Sequence, residues 1–197
     1  MTVDGVIEIP LEKFNTNYNY ASLLPKHDIA ITDIKIPKNV VGHGFSLNIT
    51  ITIENQGDYD ETFDIMLYAN MTCIASQTLT LKSRDLIIIK LIWNTTGFTK
   101  GNYTVLAHAP QVADEADITD NKLFGGFIIV AMVGDITGIT GWPDGRVDMR
   151  DVGLVARMFG TYEGRLDYNP NCDINCDGKV DMKDVGIVAR NFGKTDP

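Results

Sequence analysis

The feature that most constrains this chain is a twelve-residue acidic segment near its C-terminus, residues 173–184, with the sequence D-I-N-C-D-G-K-V-D-M-K-D. Oxygen-bearing side chains fill its positions 1, 3, 5, 9 and 12, and Gly178 stands at position 6, where a calcium loop turns sharply. Calcium takes oxygen ligands, and so many carboxyl and amide groups on one short loop repel one another without a cation. The segment predicts a calcium site with these ligands: Asp173, Asn175, Asp177, Lys179 (through its carbonyl), Asp181 and Asp184.

Part of this segment and the residues after it are repeated earlier in the chain. Residues 144–160 align with residues 177–193 without a gap, at an offset of 33, and 13 of the 17 aligned positions are identical. Each copy pairs an acidic loop with one short helical pattern, an arrangement that resembles a type I dockerin, the calcium-dependent docking module of cellulosomal and related surface proteins. Position 12 is Asp in both copies, as in dockerin loops, whereas an ordinary EF-hand has Glu there. The resemblance covers about the last 64 residues and implies two bound Ca²⁺ ions.

The first loop is irregular. Counting back from Asp144 places Thr140 and Trp142 at positions 1 and 3, which is poor ligand chemistry. If residues 137–142 bulge out as an insertion, Asp135 becomes the position-1 carboxylate, and the place of Thr137 in the ligand set stays open. On that reading the first site comprises Asp135, Asp144, Arg146 (through its carbonyl), Asp148 and Asp151.

A short helix is predicted after each loop. Asp148 and Asp181 can cap the two N-termini, and Gly160 and Gly193 stand where C-terminal glycines belong. Apolar residues at i, i+3, i+4 and i+7 predict a two-helix core, formed by Val152, Val155, Ala156 and Phe159 in one copy and by Val185, Val188, Ala189 and Phe192 in the other.

The dockerin resemblance also implies a partner, a cohesin-like domain contacted from loop positions 10 and 11 and from the following helix. Carried onto this sequence, those positions are Met149, Arg150, Arg157, Met182, Lys183 and Arg190. The alternative is that the basic residues are merely solvated helix faces. Because the two copies are nearly identical, either half could dock.

The middle of the chain is patterned as β-structure. Phe45, Leu47, Ile49, Ile51 and Ile53 alternate with polar residues, which predicts a strand with one buried face, and similar runs follow. About seven short strands predict an immunoglobulin-like β-sandwich of roughly 100 residues. In the first strand the apolar phase changes near Asp33, which predicts a bulge or a sheet switch. The fold class is thus mainly β, with a small α domain of two calcium loop–helix repeats.

Several phrases of this region, I-T-I-E-N-Q-G, W-N-T-T-G, G-N-Y-T and A-D-I-T-D-N, are similar to the CARDB family of immunoglobulin-like modules. The resemblance spans residues 28–131. It implies a structural or adhesive module of a bacterial or archaeal surface protein, and no catalysis.

We therefore expect three parts: an N-terminal strand or linker (1–26), the sandwich (27–132) and the paired calcium module (133–197). The first part is either the tail of a preceding domain or a strand that pairs with a neighbouring molecule. Leu86, Ile88 and Ile92 occupy the phase that should face water. We expect the calcium module to cover them, and a contact with another protein is the alternative.

The net charge of −9 is spread along the chain, at −6 for residues 1–133 (15 acids, 9 bases) and −3 for residues 134–197 (11 acids, 8 bases). This balance argues against binding to nucleic acid or an anionic membrane, and no apolar run is long enough to span a bilayer. Four N-x-[ST] sequons and the calcium loops favour an extracellular or cell-surface location, with a leader or upstream domains outside this sequence. The possible glycan sites are Asn48, Asn70, Asn94 and Asn102.

No sequence motif for catalysis occurs, and the three histidines have no partner motif. Cys172 and Cys176 flank the start of the second loop, and the sequence is compatible either with a disulfide between them or with two free thiols. Cys73 is expected to be buried. We predict a non-catalytic, calcium-binding adhesion and docking protein. The alternative is a structural subunit of a surface layer or filament, rigidified by calcium and assembled through the N-terminal strand or a sandwich edge.

Overall fold

The structure, a computed structural model, describes residues 24–196. The prediction of an N-terminal strand falls on residues 1–23 and lies outside the described residues. Within residues 24–196, eight strands are followed by two α-helices with a 3₁₀ turn (Pro170–Cys172) between them. The strands are β1 (Ile29–Lys35), β2 (Val40–Gly42), β3 (Ser46–Asn55), β4 (Glu61–Ala69), β5 (Thr72–Leu81), β6 (Leu86–Asn94), β7 (Gly101–His108) and β8 (Lys122–Ala131), and the helices are α1 (Met149–Met158) and α2 (Met182–Asn191).

The strands form two sheets, with the orders β1-β3-β6 and β2-β8-β7-β4-β5. All pairs are antiparallel except β2 with β8. The inward phase of each strand fills one core, in which Trp93 is fully buried and packs edge-on against Phe98 and Tyr103. The fold class is as predicted: a mainly β, immunoglobulin-like sandwich followed by a small helical module.

The predicted irregularity in the first strand is confirmed as a β-bulge. The pairing of β1 with β3 shifts register between Ile31 and Asp33. The extra residue moves the apolar side chains from one phase to the other, so that Ile31 is buried in the core and Ile34 packs against its edge.

The sequence patterns did not predict strands β2 and β5. β2 has only three residues, and β5 lies at the edge of its sheet, where only Leu79 and Leu81 are buried, so neither shows a clear alternation. Cys73 lies on β5 and is exposed, so the prediction that it is buried was wrong.

The expectation that the calcium module covers the outer face of β6 was also wrong. Leu86, Ile88 and Ile92 are 54, 63 and 59% exposed. Because the module follows β8 after a joint of only a few residues, it packs against the end of the five-stranded sheet. Val40 of β2 and Ala131 of β8 belong to its hydrophobic core.

No helix within residues 24–196 has the length and apolar character needed to cross a bilayer.

Candidate calcium-binding and docking site

The two helices begin with identical caps built from predicted ligands. Asp148 accepts a hydrogen bond from the Arg150 backbone N–H (2.7 Å), and Asp181 accepts one from the Lys183 backbone N–H (2.7 Å). A reciprocal hydrogen bond comes from position 12. One oxygen of Asp151 accepts from the backbone N–H of Asp148, and one oxygen of Asp184 accepts from that of Asp181 (2.9 Å in both). Each loop is thus joined to its helix by a capping box in which both side chains are Asp.

The position-12 carboxylates also hold the beginning of each loop. The second oxygen of Asp184 accepts from the Ile174 and Asn175 backbone N–H groups (2.7 and 3.2 Å). In the first loop the same oxygen of Asp151 accepts from Ile136 and Thr137 (2.9 and 3.0 Å). Both side chains are fully buried, so each fastens the start of its loop to its end.

The position-1 carboxylates make a second matching set of contacts. Asp173 accepts from the backbone N–H groups of Asp177 and Gly178 (3.1 and 2.8 Å). Asp135 accepts from those of Asp144 and Gly145 (3.2 and 2.8 Å). These contacts make Asp135 the counterpart of Asp173 and support the insertion reading of the first loop.

The insertion itself comprises residues 138–143, which stand where the second loop has only Cys176. Thr137 takes the place of Asn175, because each donates its backbone N–H to the position-12 carboxylate of its loop. Gly145 and Gly178 at position 6 have φ of +81° and +88°, so the turn there requires glycine's conformational freedom.

Backbone hydrogen bonds join the loop of each repeat to the other repeat. Val147 in the first loop donates to the Lys194 carbonyl (3.0 Å) and accepts from the Gly193 N–H (2.8 Å), both after α2. Val180 in the second loop makes the equivalent bonds with residues 160 and 161, after α1 (2.9 Å each). Each loop is therefore completed by the segment that follows the helix of the other repeat.

The electrostatics of the loops favour a cation. Burial raises the pKa of Asp135 to about 6, and the neighbouring Asp151 and Asp144 carboxylates add to the rise. Burial likewise raises the pKa of Asp184, with Asp173 adding to it. Within residues 24–196 no three His, Cys, Asp or Glu side chains form a metal-binding cluster in this structure. The donors are all oxygens, which fits a hard ion such as Ca²⁺.

Two of the predicted partner-binding cations instead lie on loop carboxylates. The Lys183 ammonium contacts Asp177 at 2.9 Å. The Arg150 guanidinium contacts Asp148 at 2.7 Å and Asp144 at 3.6 Å. In both repeats the position-11 cation thus pairs with the position-5 carboxylate.

The other predicted partner residues are exposed and related by the repeat. Met149 and Met182 are each 67% exposed, and Arg157 and Arg190 are exposed on their helices. They lie in the same place in the two halves of the module, so the halves present closely similar surfaces.

The predicted apolar stripe of the helices was only partly right. Phe159 and Phe192 are 51% exposed, and the alanines of the stripe are exposed as well. Val155 and Val188 are buried as predicted. The core between the helices is filled from the loops, by Ile136, Val147, Ile174 and Val180.

Sequence reasoning missed the residues that attach the second loop to its surroundings. The Tyr168 hydroxyl donates to Asp173 Oδ2 (2.8 Å). The Lys38 ammonium, from the sandwich, donates to the Asp173 carbonyl and contacts Cys176 Sγ (3.5 Å), and Lys38 is only 6% exposed. Asn171 bonds the backbone N–H groups of residues 39 and 40 (3.2 and 3.1 Å). No local pattern marks these residues, because their partners are distant in sequence.

The cysteines beside this loop are free thiols in the structure. Burial raises the pKa of Cys172 to about 12 and also raises that of Cys176, so neither is activated as a thiolate.

Residues 143–193 match the family model of the dockerin type I domain. The match bears out the resemblance and begins at the last residue of the insertion, whereas the first loop starts at Asp135. Dockerin domains are calcium-dependent, non-catalytic docking modules, and residues 133–197 are hereafter the dockerin-like module.

Among solved structures, CARDB domains are similar to the sandwich. A CARDB domain from Pyrococcus furiosus, crystallised in complex with di-metal ions, shares 19% identity over 55% of this chain and 97% of that chain, with a TM-score of 0.48. A domain of a Methanosarcina acetivorans protein, provisionally described as a cell surface protein, shares 23% identity over 53% and 92%, with a TM-score of 0.43. A β-glucosidase from Erythrobacter marinus shares 11% over 53% and 16%, also at 0.43. TM-scores below 0.5 are too low for these likenesses to bear on function, and no curated protein matches the chain.

Proposed function

We propose that this chain is a non-catalytic, extracellular calcium-binding protein whose dockerin-like module docks onto a cohesin-like domain of another protein, while the β-sandwich is a structural or adhesive module. The observation that carries the proposal is the repeated geometry of the two loops, in which a buried position-1 and a buried position-12 carboxylate make the same contacts in each half. Two Ca²⁺ ions would bind, one in each loop, to the ligand sets predicted from the sequence.

The pairing of the position-11 cations gives calcium a second role. Calcium needs the carboxylates of Asp144 and Asp177, which Arg150 and Lys183 now contact. Binding of the ion would release these cations toward a partner, beside the exposed Met149 and Met182. Calcium would thus both order the loops and present the docking face.

The proposed division into a sandwich (27–132) and a dockerin-like module (133–197) is supported by two separate hydrophobic clusters. The clusters meet where Val40 and Ala131 enter the second one, so the two modules would be joined through a packed interface. The four asparagines of the sequons are all exposed, which would leave them accessible to glycosylation.

The test is a cohesin titration, in calcium, of paired variants of the full chain. Met149→Glu/Arg150→Glu alters one face and Met182→Glu/Lys183→Glu the other. If either half can dock, each variant alone keeps binding and the combination loses it. Arg165→Glu is the matched control, because Arg165 is exposed, lies between the repeats and forms its salt bridge with its near neighbour Asp167. If a variant of one face alone abolishes binding, the two-face arrangement is refuted. If the wild-type chain does not bind cohesins in the presence of calcium, the docking proposal is refuted.

A second candidate, a subunit of a surface layer or filament, is favoured by the edge strand β6. This strand ends the three-stranded sheet and carries the exposed Leu86, Ile88 and Ile92. A long apolar edge strand is a template for pairing with another copy. Light scattering during calcium addition and chelation separates the candidates, since reversible growth into polymers supports assembly and a persistent monomer supports docking.

A further inference from the structure

The loop between β7 and β8 carries the acidic phrase A-D-I-T-D-N and lies against the start of β1. The Ile29 backbone N–H donates to Glu115 Oε1 (2.7 Å), and the Ile31 N–H donates to the Asp120 carbonyl (2.8 Å). The Asn121 side-chain amide donates to Glu115 Oε2 (2.9 Å). Two segments that are far apart in sequence therefore meet at one acidic corner of the sandwich, remote in sequence from the dockerin-like module.

Three buried oxygens at this corner accept no hydrogen bond from the part of the chain that the structure describes: Asp28 Oδ1, Asp120 Oδ1 and Asn121 Oδ1. Asp28 and Asn121 are only 3 and 2% exposed. The orientation of Asn121 is fixed by chemistry, because the Glu115 carboxylate can only accept and so must face the amide nitrogen. Its amide oxygen is therefore the unpaired end. A buried oxygen without a partner is unfavourable because it has lost its hydrogen bonds to water, and a bound ion would satisfy all three.

Several carboxylates also lie close together at this corner. The carboxylates of Asp28, Asp117 and Glu115 all add to a rise in the pKa of Asp120, whose largest cause is burial. One cation, the ammonium of Lys26, pairs with the other oxygen of Asp28, and its side chain is half exposed. Among the described residues at this corner, the salt bridge of Lys26 is to Asp28.

We propose that Asp28, Asp120 and Asn121 bind a calcium ion through these three oxygens. Carboxylate and amide oxygens select a hard cation, and a site of this kind suits the high calcium level outside cells. Glu115 positions the site, since its two oxygens accept hydrogen bonds from Ile29, Val112 and Asn121. The bound ion would tie the β7–β8 loop to β1.

The test counts calcium ions per full-length chain by equilibrium dialysis at millimolar calcium. The wild-type chain should hold three ions, and Asp120→Asn should hold two. Asp33→Asn is the matched control, because Asp33 is an exposed carboxylate on β1, and it should hold three. A chain with both Asp135→Ala and Asp173→Ala should still hold one ion, and adding Asp120→Asn should remove it.

Failure of this site and failure of the proposed function give different counts. A wild-type chain that holds two ions, with Asp120→Asn unchanged, overturns the sandwich site alone. A wild-type chain that holds one ion, lost in Asp120→Asn, supports the sandwich site and overturns the loops. Melting gives a second measurement in the chain with both loops disabled. Calcium should raise the midpoint of the sandwich, and Asp120→Asn should abolish this rise without lowering the midpoint in chelator. A lower midpoint in both conditions, with no calcium response in either chain, would overturn the site.

Discussion

Asp151 and Asp184 each combine a place in a helix cap with a proposed role as a calcium ligand. Each is fully buried and uses its two oxygens to accept three backbone N–H groups, one from its own helix cap and two from the start of its loop. Calcium at the same carboxylate would add a bond to a group that the fold already holds in place. The residue that ends each loop is therefore expected to matter both with and without the ion.

Asp184→Asn should remove calcium from the second loop and also destabilise the module in chelator. The amide keeps the shape but replaces one acceptor oxygen by a donor, which would face a backbone N–H. One unsatisfied buried N–H costs about 1–3 kcal/mol. Calcium titration and denaturant unfolding measure the two effects, and Asp151→Asn is the matched change in the other repeat. Unfolding curves in chelator that superimpose on wild type would contradict the role assigned to this carboxylate.

Calcium binding to the first loop should weaken on acidification. The pKa of Asp135 is raised to about 6, mainly by burial, so in the folded chain without calcium this group contributes stability that is full below about 3.8 and is lost as the pH rises through about 6. Calcium requires the ionised form, so protons compete with it below about pH 6. Titrations of a chain with both Asp173→Ala and Asp120→Asn, near neutral pH and near pH 5, isolate this loop, with circular dichroism to show that the chain stays folded. Equal affinity at the two pH values would refute the shift.

At the scale of elements, neither calcium loop is complete within its own repeat. Val147 and Val180 pair with the segments that follow the opposite helices, and the same exchange joins the Gly145 carbonyl to Asp196 and the Gly178 carbonyl to Glu163 (2.7 and 2.8 Å). Each helix has only ten residues, which is too short for independent stability in water. The repeats should therefore order together.

Truncation after Phe192 should weaken calcium binding at the first loop, although every proposed ligand of that loop remains. Three backbone hydrogen bonds to Val147 and Gly145 would be lost, at about 1 kcal/mol each, or about a hundredfold in affinity. The second loop, which is closed by residues 160–163, should be affected less. Calcium titration of the truncated chain in an Asp120→Asn background, with Asp135→Ala or Asp173→Ala added to isolate each loop, distinguishes the two. A larger loss at the second loop would contradict the exchange.

At the scale of the whole molecule, the sandwich and the dockerin-like module share an interface that includes the second calcium loop. Lys38 is buried and donates to the carbonyl of Asp173, and Asn171 binds the neighbouring backbone of the sandwich. Lys100 and Asp196 form an ion pair at another point of the interface. The orientation of the docking faces relative to the sandwich is thus set by contacts that reach the calcium loop itself.

Lys38→Met should loosen this interface while leaving both modules folded. The substitution keeps the apolar stem but removes the donor to the Asp173 carbonyl, which costs about 1–3 kcal/mol. Denaturant unfolding measures the loss, and small-angle scattering in calcium should show a larger radius of gyration. Lys35→Met is the control, because Lys35 is exposed on β1. If both variants behave like wild type, Lys38 does not hold the modules together.

The sequence by itself determined the parts of this protein whose physical cause is local. Alternation with period two specified the core strands, and the change of phase near Asp33 predicted the bulge that the structure contains. The spacing of oxygens around Gly178, and its repetition 33 residues earlier, predicted paired loops and the family of the module. Even the irregular first loop was interpretable, because only Asp135 supplies a carboxylate at its start.

Only the tertiary structure decided which surfaces meet. The apolar outer face of β6 predicted that the dockerin-like module covers this strand, yet the module packs on β2 and β8. Its position follows from the short joint after β8 and from contacts such as that of Lys38 with the Asp173 carbonyl. Phe159 and Phe192 match a helical stripe but are exposed, because loop residues fill the space between the helices. The acidic corner around Asn121 arises from segments about ninety residues apart. Such contacts depend on how the chain packs in three dimensions, and the periodicity of the sequence does not predict them.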